Sequence, residues 1–214
     1  MLCRMTQAQR SAATRKRLLK AAADEMAEHG YGDSSLSAIG ARLGLSKGVL
    51  AYHYPTKRSL AIDLVAALGA ALNECDAQAR TVFPGGGLRG LLCFLHLSGQ
   101  RLEADPVAAA AFDFPLDKSL RDLGIDSPLP QWRELVGVFL REAQQQGELP
   151  GEPGAEEGAR FLVAVVHGSR AGAENTTPPL DPRLPLVPLV LRGLGAQDPE
   201  RLVDEALAAP APRA

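Results

Sequence analysis

GLSKGVLAYHYPTKRSL, residues 44–60, crowds two lysines, an arginine, a histidine and two tyrosines among two glycines and a proline. Gly44 stands where a chain turns with φ above zero at little steric cost. Ser46 offers a hydroxyl to cap a short helix carrying Lys47, Val49, Leu50 and Tyr52, and Pro55 stops it. Just upstream, Ser34 or Ser35 offers a cap for another short helix whose inward face is Leu36, Ile39 and Leu43. Gly40 is small where the two helices approach. Leu45 and Leu50 are spaced to pack back on Ile39 and Leu43. Two short helices joined by a tight glycine turn have the shape of a helix-turn-helix.

Working outward, Leu18, Leu19, Ala22, Ala23 and Met26 form an apolar stripe at helical spacing. That helix ends near His29, at Gly30 and Gly32. On the other side a long helix starts near Lys57 and runs to about Thr81. Phe83-Pro-Gly-Gly-Gly87 breaks it. Leu88 to Leu102 mark another helix, ended by Asp105-Pro106, and a shorter one reaches about Phe114. Leu120 to Pro130 reads as a loop. Trp132, Leu135, Val136, Phe139, Leu140 and Ala143 make an amphipathic helix, and a glycine- and proline-rich turn follows. From about Ala155 the chain is helical again, with Phe161–Val166 apolar all round, the pattern of a helix buried on every side. Glu174–Pro185 is a proline-rich loop. Leu186–Leu194 is again apolar, with Pro188 in its first turn or bending it, and a last helix covers Pro199–Ala208.

The predicted fold class is all-α. A three-helix head with the helix-turn-helix and a basic N-terminal arm spans 1–56. A larger helical body spans 57–208, and a disordered tail 209–214. With 46% hydrophobic and only 5% aromatic residues, the core must be leucine, valine and alanine. Three cysteines, an odd number with no close pair, argue against a disulfide framework or a zinc site. No metal and no cofactor is expected. No apolar run spans a bilayer and the start has no apolar signal stretch, so the protein is expected in the cytoplasm, away from membranes.

The net charge of −2 hides an asymmetry. Residues 1–60 hold ten Lys/Arg against four Asp/Glu, a balance of +6; residues 61–214 hold thirteen against twenty-one, −8. A basic head on an acidic body suits a polyanionic partner, although a solvated basic face has the same composition.

The opening stretch resembles the signature of TetR-family one-component transcriptional regulators. In that family a Gly-Val-Ser-Lys-Gly turn opens the recognition helix, and a Tyr-x-His-Phe segment closes it. Gly44, Ser46, Lys47, Gly48, Leu50, His53, Pro55 and Lys57 match. Tyr54 replaces the usual phenylalanine, Thr56 the usual serine. SSLSAIGARLG (34–44) resembles the first helix of the motif, and the likeness covers roughly residues 10–65. One departure is Ala51, where the family often has a phosphate-touching tyrosine; Tyr52 stands next to it. The resemblance implies a dimer on double-stranded operator DNA, with Ser35, Ser46, Lys47, Gly48, Val49, Tyr52, His53 and Lys57 at the interface. A recognition helix enters the major groove by its N-terminal end. Lys47 there can donate to guanine O6 and N7, and Gly48 lets the backbone approach. Tyr52, His53 and Lys57 lie nearer the phosphates, as do the amides opening the next helix near Thr56.

PLPQWRELVGVFLREAQQQGEL (128–149) and RFLVAVVHGSRAGAE (160–174) resemble the γ-butyrolactone receptors, TetR-type repressors that release DNA when a butyrolactone, furan or butenolide binds the body. Trp132-Arg133 and Gly168-Ser169-Arg170 carry that likeness. It implies ligand contacts from Trp132, Gln131, Val136, Phe139, Leu95 and Ser169, and control of secondary-metabolite genes. Taken by themselves, a lone tryptophan is more often core than cage, and a helical serine more often bonds its own backbone. His167 and Arg170 share a face and suit either a polar ligand group or an acid.

Two other functions compete. A TetR-type repressor of a drug-efflux operon would have the same head and a flexible, aromatic-rich or acidic pocket. A small-molecule hydrolase would need Gly-x-Ser-x-Gly on a strand-to-helix turn, and His167-Gly-Ser169 lacks that pattern. The apolar helices near 156–172 and 186–195 predict a homodimer, joined as the family joins its last helices.

Overall fold

The computed structural model describes residues 6–114, 125, 127–172, 181–183 and 185–208; the residues before Thr6, most of the expected 120–130 and 174–185 loops, and the tail lie outside them. Among the described residues there are ten helices and no strand. They are α1 (Gln7–Asp33), α2 (Leu36–Arg42), α3 (Lys47–His53), α4 (Lys57–Val82), α5 (Gly87–Ala104), α6 (Pro106–Asp113), α7 (Leu129–Gln145), α8 (Ala155–Gly172), α9 (Leu186–Gly193) and α10 (Pro199–Ala208). None is long and apolar enough to cross a membrane.

The chain divides into two compact units: residues 1–68 with 105–128, and residues 69–104 with 129–214. The first is larger than the 1–56 head read from sequence. It takes in the first turns of α4, whose Leu60 and Leu64 are buried, and α6, which packs on α1.

In the first unit each helix end has its own stop. Thr6 opens α1 with a capping box: its hydroxyl accepts from the Gln9 amide, and the Gln9 side chain accepts from the Thr6 amide. Gly30, at φ 74°, breaks α1 where the sequence puts its end, and one more turn follows to Asp33. Ser35 caps α2 by accepting from the Ala38 amide at 3.0 Å. Gly44, at φ 64°, makes the turn. At Gly40 a Cβ would stand 3.3 Å from Leu50 Cδ2, tight enough to push the two motif helices apart.

Two polar clusters then fix the motif. Arg42, at the end of α2, donates to buried Glu25 at 2.6 Å and forks onto both oxygens of Glu28 at 3.0 and 2.5 Å. A buried carboxylate needs such a partner. Tyr54, the C-cap of α3, is buried and donates to Asp63 Oδ2 at 2.7 Å. The same oxygen accepts from Arg15 Nε at 2.7 Å, and the guanidinium lies over the Tyr54 ring. Burial first, and then the bond to Asp63, holds the Tyr54 phenol protonated far above its usual range.

In the second unit α5 and α7 pack together, and Phe94 and Phe139 stack at 5.7 Å. Gly90 makes room, since a Cβ there would be 2.9 Å from Phe139 Cε1. The Gly86 and Gly87 turn, at φ 64° and 63°, is tied to the end of α7: Glu148 accepts from the Leu88 amide at 2.7 Å and so caps α5 from 60 residues away. α8 packs on α7, and α9 on α8 and α10. Pro188 sits in the first turn of α9 and is buried.

Within the single chain, Phe161–Val166 is buried on one side only. Leu162, Val163 and Val166 are buried, but Phe161 is 51% exposed and Ala164 is exposed too. One chain covers only one side of the helix. Cys75 and Cys93 are buried thiols, as their apolar surroundings predict.

Candidate nucleic-acid interface

Helix α3 has two faces. Leu50 is buried, His53 is half-buried, and Lys47, Gly48, Val49, Ala51 and Tyr52 are exposed. At about 100° per residue, the five exposed positions follow one another round the helix as Lys47, Ala51, Gly48, Tyr52 and Val49. They form one unbroken arc, with Gly48 nearly opposite Leu50. Tyr52 is 77% and Val49 40% exposed. The Tyr52 ring meets the His53 ring edge-on at 5.1 Å, which orients the phenol without covering it.

Gly48 has no intramolecular reason to be glycine. A Cβ added there would meet only Ser46 Oγ, at 4.0 Å, and its φ is not positive. A glycine in a helix interior costs about 1 kcal/mol relative to alanine, and one in the first turn, like Gly48, costs less. Among the described residues, nothing in the chain requires the bare backbone at this position. Gly48→Ala is expected to raise the melting temperature slightly, by up to about 1 kcal/mol of added helix stability, and at the same time to weaken DNA binding. Melting and band-shift titrations on one preparation check this opposition of sign.

Ser46 caps α3, its hydroxyl accepting from the Val49 amide at 3.4 Å, and Ser35 caps α2. Each O–H still has a proton to donate outward. The structure thus brings Ser46, Lys47, Gly48, Val49, Tyr52 and His53 together on one helix, with Ser35 at the head of its neighbour.

Lys57 is held within the head. Its ammonium donates to the carbonyls of Tyr31 at 2.5 Å, Ser34 at 2.8 Å and Gly32 at 3.1 Å, and lies 4.3 Å from the centre of the Tyr31 ring. Three acceptors match its three N–H donors, so in the free chain it closes the C-terminal end of α1. Lys57→Met is expected to destabilise the protein by about 1–2 kcal/mol, with the slope of DNA affinity against salt unchanged. Thermal melts and salt-series band shifts check both. The start of α4 is also partly spoken for: Thr56 Oγ1 accepts from the Ser59 amide at 3.0 Å, and Ser59 Oγ from the Thr56 amide at 3.4 Å.

The residues expected at a ligand all lie in the second unit. Trp132, Val136 and Phe139 share the buried face of α7, and Leu95 is buried on α5. Gln131 donates its amide to Gly69 O at 3.2 Å and Asn73 Oδ1 at 3.0 Å. Ser169 donates to Val166 O at 2.7 Å, within its own helix. His167 is buried, and the Arg170 side chain lies outside the described residues.

Sequence reasoning missed Arg15, Arg42 and Asp63. Asp63 carried a signal, an acid within the otherwise apolar inner stretch of α4; the arginines looked like any other basic residue of the head.

Residues 18–64 match the family of bacterial regulatory proteins described as the tetR family. No curated protein matches the chain. Among solved structures, it is similar to the TetR family protein CprB from Streptomyces coelicolor, in complex with its biological operator sequence. Identity is 25%, TM-score 0.71, with 92% of this chain and 96% of that one covered. It is also similar to a gamma-butyrolactone receptor (ArpA-like protein), at 23% identity and TM-score 0.69 over 92% and 96% of the two chains. SmeT, the repressor of the Stenotrophomonas maltophilia multidrug efflux pump SmeDEF, gives 21% identity and TM-score 0.66 over 88% and 93%. Residues 18–64 thus match the tetR family of bacterial regulatory proteins, and the chain has the fold of these solved regulators along nearly its whole length.

Proposed function

We propose that the protein is a repressor that holds a palindromic operator as a homodimer and lets go when a small lipophilic signal, a γ-butyrolactone or a related furan or butenolide, binds its body. Its genes are those of secondary metabolism, and its place of work is the cytoplasm. The observation that carries the reading is the exposed arc of α3 around an unforced glycine. An α-helix fits the major groove when its outer face can come close to base edges. Lys47 and Gly48 are at the entering end, while Tyr52 and His53 are placed for phosphates.

The dimer is supported by what α8 and α9 leave uncovered. Glu157, Phe161, Ala164 and Gly168 form an exposed line on α8, and Leu189 on α9 is 61% exposed. Small residues in that line allow close helix contact, and the large apolar ones need cover. Two heads related by a twofold axis read two half-sites one or more helical turns apart.

Release follows from linkage. The effector must bind better to the dimer form whose heads do not fit adjacent grooves, and operator must weaken effector binding by the same factor. Leu95, Trp132, Val136 and Phe139 are the apolar side chains, and Gln131 and Ser169 the polar ones, that would meet a lactone and its acyl tail as the body rearranges to admit it. Likeness to the gamma-butyrolactone receptor structures supports this effector class. Likeness to SmeT supports a second reading, an efflux-operon repressor opened by varied lipophilic drugs.

Selection from a random-sequence duplex pool by the purified chain tests operator binding. The expected product is an inverted repeat with half-site centres about 10 base pairs, or a multiple, apart. Recovery of no common sequence would remove the repressor reading.

A further inference from the structure

The arc on α3 has a composition as well as a shape. It presents one cationic donor (Lys47), two side chains ending in methyl groups (Val49 and Ala51), a bare backbone (Gly48) and a phenol (Tyr52). None of the five is an amide or a carboxylate. Asparagine and glutamine are the side chains that pair with adenine, and aspartate and glutamate those that accept from cytosine N4. The face has neither means. It has the two others: a cation for guanine O6 and N7, and apolar methyls for the C5-methyl of thymine.

Gly48 decides which of these reach the bases. Opposite buried Leu50 and open to solvent, it is the point of the helix that can come closest to the floor of the groove. Lys47 and Val49 flank it directly in sequence, in the first turn, the part of a recognition helix that meets base edges. The Val49 methyls are exposed though its backbone amide is held by the Ser46 cap, so the cap fixes the position from which they project. Tyr52 lies one turn further on, with its hydroxyl outward, suited to a phosphate oxygen.

We infer that each operator half-site is read as guanine and thymine: Lys47 donates to guanine, Val49 packs on a thymine C5-methyl, and the Gly48 backbone seats between them. This rests on the operator-binding reading and adds the base chemistry that the operator must have.

Duplexes recovered from the random pool supply the probe. Each thymine is replaced in turn by deoxyuridine, which lacks only the methyl group, and each guanine by 7-deazaguanine, which lacks only the N7 acceptor. The full-length protein is expected to lose about fourfold in affinity at one thymine per half-site, the worth of one buried methyl. It is expected to lose about tenfold at one guanine. In Val49→Ala the thymine effect disappears and the guanine effect stays; in Lys47→Met the reverse holds. Both side chains are exposed, so both variants are expected to keep the wild-type melt. A thymine effect found nowhere, or one that persists in Val49→Ala, overturns the inference while the protein still selects a duplex. Failure to select any duplex overturns operator binding itself.

Discussion

Phe161→Asp is expected to give a folded monomer, whereas Val166→Asp, five residues along the same helix, is expected to give no folded protein. Phe161 is 51% exposed and Val166 2%. An aspartate at 166 puts an unpaired charge in the core of the second unit, at a cost of several kcal/mol. A domain's whole stability is about 5–15 kcal/mol. Val190, also buried, is expected to behave as Val166 does. An aspartate at 161 stays in water in the single chain. In the proposed dimer it removes about 1.5–3 kcal/mol of apolar burial from each subunit, and places two like charges near the twofold axis. Without the second head, operator affinity is expected to fall by about 10²-fold or more, because the second half-site no longer binds as an intramolecular step. Light scattering, circular dichroism and operator titration on the two variants separate the cases. An intact Phe161→Asp dimer would place the subunit contact elsewhere.

Trp132→Ala is expected to cost about 3–5 kcal/mol of stability, the range for a large buried aromatic cut to alanine. The indole is 1% exposed, on the same helix face as Val136 and Phe139. Burial this complete argues for the full cost, with no existing cavity to absorb the loss. Trp132→Phe isolates the sensing role, since it keeps an aromatic face and most of the volume. That variant is expected to fold as a dimer and bind operator normally, and to need about tenfold more effector for release. Melting and release curves on the same preparation decide. Normal release by Trp132→Phe, with Trp132→Ala strongly destabilised, would make Trp132 plain core.

What was legible in the sequence follows from range. Helix α3 could be drawn almost to the residue because all that defines it is local: the Ser46 cap, inward Leu50, the Gly44 turn and the stop before Pro55. The Lys57 contacts are out of reach of local reading because their acceptors, Tyr31, Gly32 and Ser34, lie 26, 25 and 23 residues earlier; in sequence it is simply a lysine beside a motif. The Arg15–Asp63 contact spans 48 residues and is invisible to any periodicity. At Phe161, hydropathy reports that a surface wants cover, without saying whether its own chain or a second one provides it. Gly48 is the reverse case. Its residue type was plain, but only the empty space around a would-be Cβ shows that no part of the chain requires it.

The proposed repressor works by one coupling, between DNA at α3 and a lipophilic signal in the body. Fluorescence anisotropy of a labelled, pool-selected operator duplex bound by the protein, followed as a γ-butyrolactone is titrated in, measures that coupling directly. The anisotropy is expected to fall along a saturable curve to the value of free duplex, and less steeply with Trp132→Phe. A flat line at saturating butyrolactone, furan and butenolide, with release by unrelated lipophilic drugs, would contradict it and favour the efflux reading.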